Sequence, residues 1–287
     1  MNEGETWVLL RGLAREQRHW GDFADRLRSQ TGATRIVALD LPGNGSRHAE
    51  ASPMQVETMV DSARAELRER GLAAPYRLVA LSLGAMVAIE WAARHPGELC
   101  SAVLVNTSAR PFARWHERLR PRAAGALVAA ALTGDVEARE RAVLRLTSAH
   151  PGRRVDALLA DWSRWQRERP VARASILRQL VAAARYRAPV SAPRVPVLVL
   201  ASAADRLVDP VCSRRLAEAW RVELRIHPSA GHDLPLDDGA WIVAQIAGWL
   251  ASRPTSGRES GVSRRGNAGD SAAAGPGNAS STAGRRS

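Results

Sequence analysis

Residues 77–89 read Arg77-Leu-Val-Ala80-Leu-Ser82-Leu-Gly84-Ala85-Met-Val-Ala-Ile89. An apolar run of strand character ends at a serine, and a helix-forming run starts at the next residue. A chain that passes from strand to helix across one residue is sharply bent. The residue at the bend projects its side chain out of the sheet edge, and close backbone approach requires small neighbours two positions before and after it. Ala80 and Gly84, followed by Ala85, meet that requirement. The usual form of such a turn is Gly-x-Ser-x-Gly, with alanine here in the first position. Taken alone, a serine ahead of a helix is more often an N-cap. The helix that follows also aims its N-terminal dipole at any negative charge developing near Ser82.

Outward from this turn, short β-type runs alternate with helix-length amphipathic stretches, the pattern of a parallel sheet flanked by helices. Strands are expected at Thr6–Leu10, Arg35–Leu39, Tyr76–Leu81, Ser101–Asn106, Val195–Ala201 and Val222–Ile226. Several are continuous apolar runs, as strands buried on both faces should be. Helices are expected at Trp20–Ser29, Pro53–Arg70, Leu83–His95, Val211–Trp220 and Asp238–Ala251. The alternation breaks once, between Asn106 and Val195, where the periodicity is helical and no strand is evident. The expected organisation is therefore an α/β core over 1–108 and 190–252, an all-helical insertion over 109–189, and a tail over 253–287. The tail is Gly-, Ser-, Ala- and Arg-rich, too poor in apolar side chains to offset the entropy of ordering, and is read as disordered.

Of 287 residues, 45% are hydrophobic, enough for one sizeable core. No apolar run approaches the ~18 residues that a membrane span needs. The N-terminus lacks the basic start and long apolar stretch of a secretory signal, so the chain is read as cytoplasmic. Cys100 and Cys212 are too few for a disulfide framework or a cysteine metal site. The net charge of +12 comes from 41 basic side chains, all of them arginine. Absence of lysine in an Ala-rich chain is the mark of high-GC coding bias rather than of phosphate binding. From Arg110 to Pro189 there are 17 arginines against 7 acidic residues, and from Ala251 onward 6 against 2. The remaining chain is near neutral. No aromatic-interleaved basic motif supports a nucleic-acid partner.

With these segments in place, the sequence resembles the α/β-hydrolase family over roughly Trp7–Leu250, interrupted by the insertion. Four further stretches carry the likeness: WVLLRG (7–12) followed by Trp20; VALDLPGNGSRH (37–48); VPVLVLASAADRLVDP (195–210); and HPSAGHDLP (227–235). The resemblance implies an α/β-hydrolase fold with a reduced, six-stranded parallel sheet, since only five residues precede the first strand and leave no room for an opening hairpin. It also implies hydrolysis of a small carboxylic ester, or a thioester, through an acyl-enzyme on Ser82, without metal or cofactor. A neutral serine is a poor nucleophile and needs a base that is itself oriented by a carboxylate. The family's order of serine, acid and histidine is met by Ser82, Asp205 and His232, each just past the C-terminal end of an expected strand.

Among seven histidines, His232 follows Ala230-Gly231 on the last loop; His227 lies nearer the strand and is read as structural, as is His95 after the helix. His116 and His150 lie in the insertion, where surface roles suffice. Asp209 competes with Asp205, but its place before Pro210 suits N-capping. Asp233, Asp237 and Asp238 are read as loop or cap residues, and Asp40 as a turn former. The resemblance assigns the oxyanion donors to the backbone N–H groups of Leu13 and Leu83. Arg11 stands where the family commonly has histidine, which puts that loop's supporting hydrogen bonds in question. The insertion corresponds to a cap in relatives of this layout. Trp162 and Trp165 share a helix face there and either line an acyl pocket or pack cap against core. A basic cap suits docking of an acidic acyl carrier protein, and the layout is similar to esterases that act on carrier-bound acyl chains. A serine nucleophile argues against the dehalogenases and epoxide hydrolases of this fold, while perhydrolysis stays open. A non-catalytic ligand-binding homologue would show a degraded triad.

Overall fold

The computed structural model describes residues 5–150, 152 and 155–253. Six strands form one sheet: β1 (Thr6–Leu10), β2 (Arg35–Leu39), β3 (Tyr76–Leu81), β4 (Leu99–Val105), β5 (Val197–Ser202) and β6 (Glu223–His227). Their order is β2-β1-β3-β4-β5-β6, and every neighbouring pair is parallel. The strands were legible to within one or two residues. β5 starts at Val197 rather than Val195 because Pro196 has no N–H for a ladder; its carbonyl instead accepts from Ala102 N–H at 2.9 Å.

Alternation along each strand sorts side chains between two helical layers. Trp7, Leu9, Val79, Leu81, Val103 and Leu198 face α1 (Phe23–Thr31) and α10 (Leu234–Ala251). Val8, Leu10, Leu78, Leu104 and Val199 face α2 (Val56–Glu69), α3 (Leu83–Arg94) and α9 (Val211–Trp220). α10 begins four residues before the expected Asp238, because two helical runs join across a kink at that residue (φ −155°). From β1 the chain moves out to β2 and returns on the other side to β3. That reversal opens a crevice at the carboxyl ends of β1 and β3, the position where open α/β sheets bind ligands.

The segment between β4 and β5 holds α4 (Trp115–Arg118), α5 (Pro121–Leu132), α6 (Val136–Thr147), α7 (Val155–Glu168) and α8 (Arg173–Arg185). Pro121 opens α5 at a position that needs no N–H. Asp135 caps α6 by accepting from Glu137 and Ala138 N–H at 3.1 Å. The ends of the segment meet in a bridge between Arg110 and Arg187. The described residues up to Ser252 make one compact unit. The tail read as disordered lies outside the described residues, Arg253 excepted. No helix among the described residues is long and apolar enough to cross a membrane.

The inserted helices are clamped to the loop that follows β1. Trp162 is buried with Leu144 and Leu159, and the rings of Trp162 and Trp165 each lie 5.2 Å from that of His19. The Arg15 guanidinium sits 4.3 Å from the Trp162 ring centre and pairs with Glu140 at 2.5 Å. Enclosure between the tryptophans, with Arg15 and Arg11 close by, holds the His19 pKa well below the usual histidine value. The unfolded chain therefore takes up a proton near pH 6.5 that the folded chain refuses, so stability is full above that pH and declines as the pH falls through it. Urea unfolding at pH 7.5 and 5.5 is expected to show a loss to which His19 contributes up to about 1.4 kcal/mol and which His19→Gln reduces; an unchanged difference in the variant would place the acid sensitivity elsewhere.

Candidate active site

Ser82 is the single residue between β3 and α3, with φ +57° and ψ −115°. Few non-glycine residues adopt a positive φ, and here a hydrogen bond from Ser82 N–H to Val105 O (2.9 Å) holds the turn against the end of β4. Ser82 occupies the N-cap position of α3, yet its hydroxyl makes no capping bond, so capping does not account for it. The two small positions differ in stringency. A Cβ on Gly84 would fall 2.5 Å from Leu10 O and 2.6 Å from Arg11 O. Ala80, in contrast, is fully buried in the core with its methyl group accommodated.

The acid and histidine come together in the loops after β5 and β6. His232 Nδ1 and Asp205 Oδ2 are 2.7 Å apart, and both side chains are buried. Asp205 Oδ1 accepts from Leu207 and Val208 N–H at 2.8 and 2.9 Å. That fixes the carboxylate plane and leaves Oδ2 for the ring. Nδ1 is the ring nitrogen on the carboxylate, which leaves Nε2 on the opposite side of the ring. Among the described residues, neither Ser82 Oγ nor His232 Nε2 takes part in a hydrogen bond.

The competing residues are engaged elsewhere. Asp209 accepts from Val211 N–H at 3.0 Å and pairs with Arg120. His227 bonds Asp238 at 3.2 Å. Asp237 receives N–H groups from Ala149, His150 and Gly231. Asp233 is at the N-cap position of α10 but does not cap it; its carboxylate goes to Arg11. Asp40 organises its turn, accepting from Gln17 N–H at 2.7 Å and from Ser46 N–H and Oγ–H at 2.8 Å.

Asn106 is a residue the sequence reading passed over as a strand end. It has φ +47° and is buried. Its amide donates to His232 O (2.8 Å) and Ser202 Oγ (3.0 Å) and accepts from Ser202 N–H (2.8 Å). With Ser82 N–H bonded to the preceding residue's carbonyl, the end of β4 ties the serine turn and the histidine loop to one anchor. A polar residue closing an apolar strand at the carboxyl edge was the available signal.

Leu13 and Leu83 N–H donate to no acceptor among the described residues. The loop around Leu13 is held on both sides. Ala14, at φ +53°, donates its N–H to Gln179 Oε1 of α8 at 2.9 Å, and Asn44 Nδ2 donates to Arg15 O at 3.1 Å. Gln179 is fully buried and was not singled out from sequence, where nothing marks it among the other polar residues of its helix. Gly12 passes so close to the turn that a Cβ there would fall 3.1 Å from Ser82 Cβ.

Beside this loop lies a cavity of about 260 Å³. Leu13, Ala14 and Arg15 line one side, and Leu127, Val143, Ile176 and Leu180 of α5, α6 and α8 line another. Its lining residue from α7 is Gln166, while Trp162 and Trp165 face His19. Among the described residues, no group of three or more His, Cys, Asp or Glu side chains is gathered as a metal ion would need.

A parallel sheet with a serine as the single residue between a strand and a helix, and an acid and histidine on later loops, defines the class. The chain belongs to the α/β-hydrolase family, whose profile matches residues 7–245. Over 112 residues it is 38% identical to the pimeloyl-[acyl-carrier protein] methyl ester esterase of Chromobacterium violaceum, a stretch covering 38% of this chain and 40% of that relative. Its fold is shared with the enol-lactonase of Burkholderia xenovorans LB400 (TM-score 0.70, 18% identity, covering 87% of this chain and 92% of that one). It is shared also with an esterase of Rhodococcus sp. ECU1013 (TM-score 0.68, 21% identity, 87% and 91% covered).

The unequal stringency of the two small positions is open to measurement. Gly84→Ala is expected to cost about 1–3 kcal/mol or more by urea unfolding, through overpacking against two carbonyls. Ala80→Gly is expected to cost about 0.5–1 kcal/mol. The reverse ranking would contradict the close approach described here.

Proposed function

We propose that the protein is a serine hydrolase that cleaves a carboxylic ester, or a thioester, through an acyl-enzyme on Ser82. The buried 2.7 Å hydrogen bond between His232 Nδ1 and Asp205 Oδ2 carries this reading, because it leaves Nε2 as a base at the sheet edge that also bears Ser82. In the first half-reaction Ser82 Oγ attacks the carbonyl carbon while His232 Nε2 takes its proton. The developing oxyanion accepts from Leu13 and Leu83 N–H, donors that need no reorganisation as charge appears. Collapse breaks the bond to the leaving alcohol or thiol, which receives the proton from Nε2. Water then attacks the acyl-enzyme with Nε2 again as base, and the acid leaves with Ser82 restored.

The inserted helices act in this reading as a cap, and the apolar cavity beneath them suits the hydrocarbon part of a substrate. A carrier-borne substrate is a second reading, favoured by the excess of 17 arginines over 7 acids between Arg110 and Pro189 and by the activity for which the Chromobacterium relative is named. The setting proposed is the cytoplasm.

Incubation with a fluorophosphonate followed by intact-mass and peptide mapping is expected to give one adduct, on Ser82, absent from Ser82→Ala. Ser82→Ala is also expected to reduce kcat on p-nitrophenyl esters by about four to six orders of magnitude. A folded, unlabelled wild type would favour a ligand-binding homologue instead. For the carrier reading, raising salt from 50 to 500 mM is expected to depress kcat/KM for a carrier-bound acyl ester steeply and to leave a small free ester unaffected. Equal insensitivity of the two substrates would remove that reading.

A further inference from the structure

Arg11 and Asp233 form a fork-to-fork ion pair in the interior. Arg11 Nη1 donates to Asp233 Oδ1 at 3.1 Å and Nη2 donates to Oδ2 at 2.6 Å. Arg11 is 2% exposed and Asp233 3%. The guanidinium also lies 5.1 Å from the centre of the Trp20 ring. In sequence the partners are 222 positions apart, but each borders one half of the site. Arg11 leads into Gly12-Leu13, which carries one expected oxyanion donor. Asp233 directly follows His232.

We propose that Arg11 and Asp233 are positioning residues that set the oxyanion loop and the histidine loop at a fixed separation through this two-pronged bond. The inference rests on the serine-hydrolase reading above. One general principle and two observations favour positioning over plain stabilisation. Removing two charges from water is costly, and a buried pair seldom stabilises more than apolar side chains of the same volume would. Arg11 Nε is buried without a partner among the described residues, so the arrangement is not the best available for stability. Asp233 forgoes the capping role its position offers, while its own N–H donates to Thr147 O at 2.7 Å. Two parallel hydrogen bonds resist both stretching and twisting, which a single contact cannot do. Arg11 therefore adds, with its side chain, a support at the start of a loop whose later residues are held by Gln179 and Asn44.

The test separates geometry from stability. Arg11→Met, Asp233→Leu, the double variant and Arg11→Lys are compared by urea unfolding, by the rate of fluorophosphonate labelling at Ser82, and by kcat and KM on p-nitrophenyl butyrate. Each apolar single leaves one buried charge uncompensated and is expected to be strongly destabilised. The double is expected to recover wild-type stability while its labelling rate and kcat stay about tenfold to a hundredfold low, with KM within about twofold. Arg11→Lys keeps the charge and loses the fork, and is expected to label at an intermediate rate. A folded double that labels and turns over like wild type overturns the proposal. So does Arg11→Lys at the full wild-type rate, which decides the matter even if the double fails to fold. Failure of the underlying reading has a different signature: wild type itself would not label at Ser82, and this inference would fall with it.

Discussion

The site depends on how closely the chain leaving β1 passes the turn between β3 and α3. The Leu10 and Arg11 carbonyls occupy the space that any side chain at position 84 would need. Because Gly84 concedes that space, the bend can be completed at a single residue, and Ser82 takes the positive φ that lifts its hydroxyl off the sheet. The same approach brings Gly12 against Ser82 Cβ, so the loop bearing Leu13 is stationed beside the serine. A hydrogen bond to Val105 O then fixes the bend from the other side. Strand order puts this contact at the crevice where the sheet reverses direction. Backbone sterics thus define the place, and side chains are needed only to hold it.

Holding it falls largely to residues far away in sequence. The loop after β1 contains no regular structure from Arg11 to Glu16, and successive groups along it find separate partners. Arg11 meets Asp233, Ala14 N–H meets Gln179, the Arg15 carbonyl meets Asn44 and its guanidinium Glu140, and Gln17 N–H meets Asp40. Two of these partners, Gln179 and Glu140, belong to the inserted helices. The insertion also grips the histidine loop: Thr147 O accepts from Asp233 N–H, while Ala149 N–H and Gly231 N–H converge on Asp237. Lifting α6 or α8 as a rigid lid would break part-buried hydrogen bonds to the loops that follow β1 and β6, each costly to leave unmade. The insertion is a structural component of the site as well as a wall of the cavity.

Local regularities made the strands, the helices and the serine turn legible, because periodicity and small-residue spacing are properties of contiguous chain. Family likeness added Asp205 and His232, whose loops carry recognisable neighbours. The polar anchors were not legible for a physical reason: hydrophobic pattern states which face is buried, not which polar group waits opposite. Asn106 reaches His232 across 126 positions and Gln179 reaches Ala14 across 165. Arg11 illustrates the limit well. In sequence it was a departure that left its loop in question; in the fold the missing support is restored by a side chain 222 residues away. The spacing of Trp162 and Trp165 correctly put them on one face, but only the fold shows that this face meets His19. The early start of α10 escaped notice because Pro235, at its first turn, reads equally as a loop residue.

The arginine excess raises a different question, since many of the insertion's arginines are occupied. Arg118 donates to the Ala183 and Ala184 carbonyls near the end of α8, Arg178 to Ser52 O, and Arg120 to Asp209. Hydrogen bonding to a carbonyl orients a guanidinium but removes none of its charge. Pairing with a carboxylate cancels charge one for one, which the excess of 17 arginines over 7 acids already includes. The structural engagement of these side chains therefore leaves the net charge of the segment intact while fixing where it sits. Exposed pairs such as Arg141–Glu137 and Arg164–Asp161 contribute little to stability. The stretch from Arg110 to Pro189 thus keeps its basic excess while the chain outside it and the tail is near neutral. A field of that sign acts on the approach of an anionic partner, not on the bond-making at Ser82. Salt dependence would thus report on substrate delivery, whereas the labelling chemistry reports on the site itself.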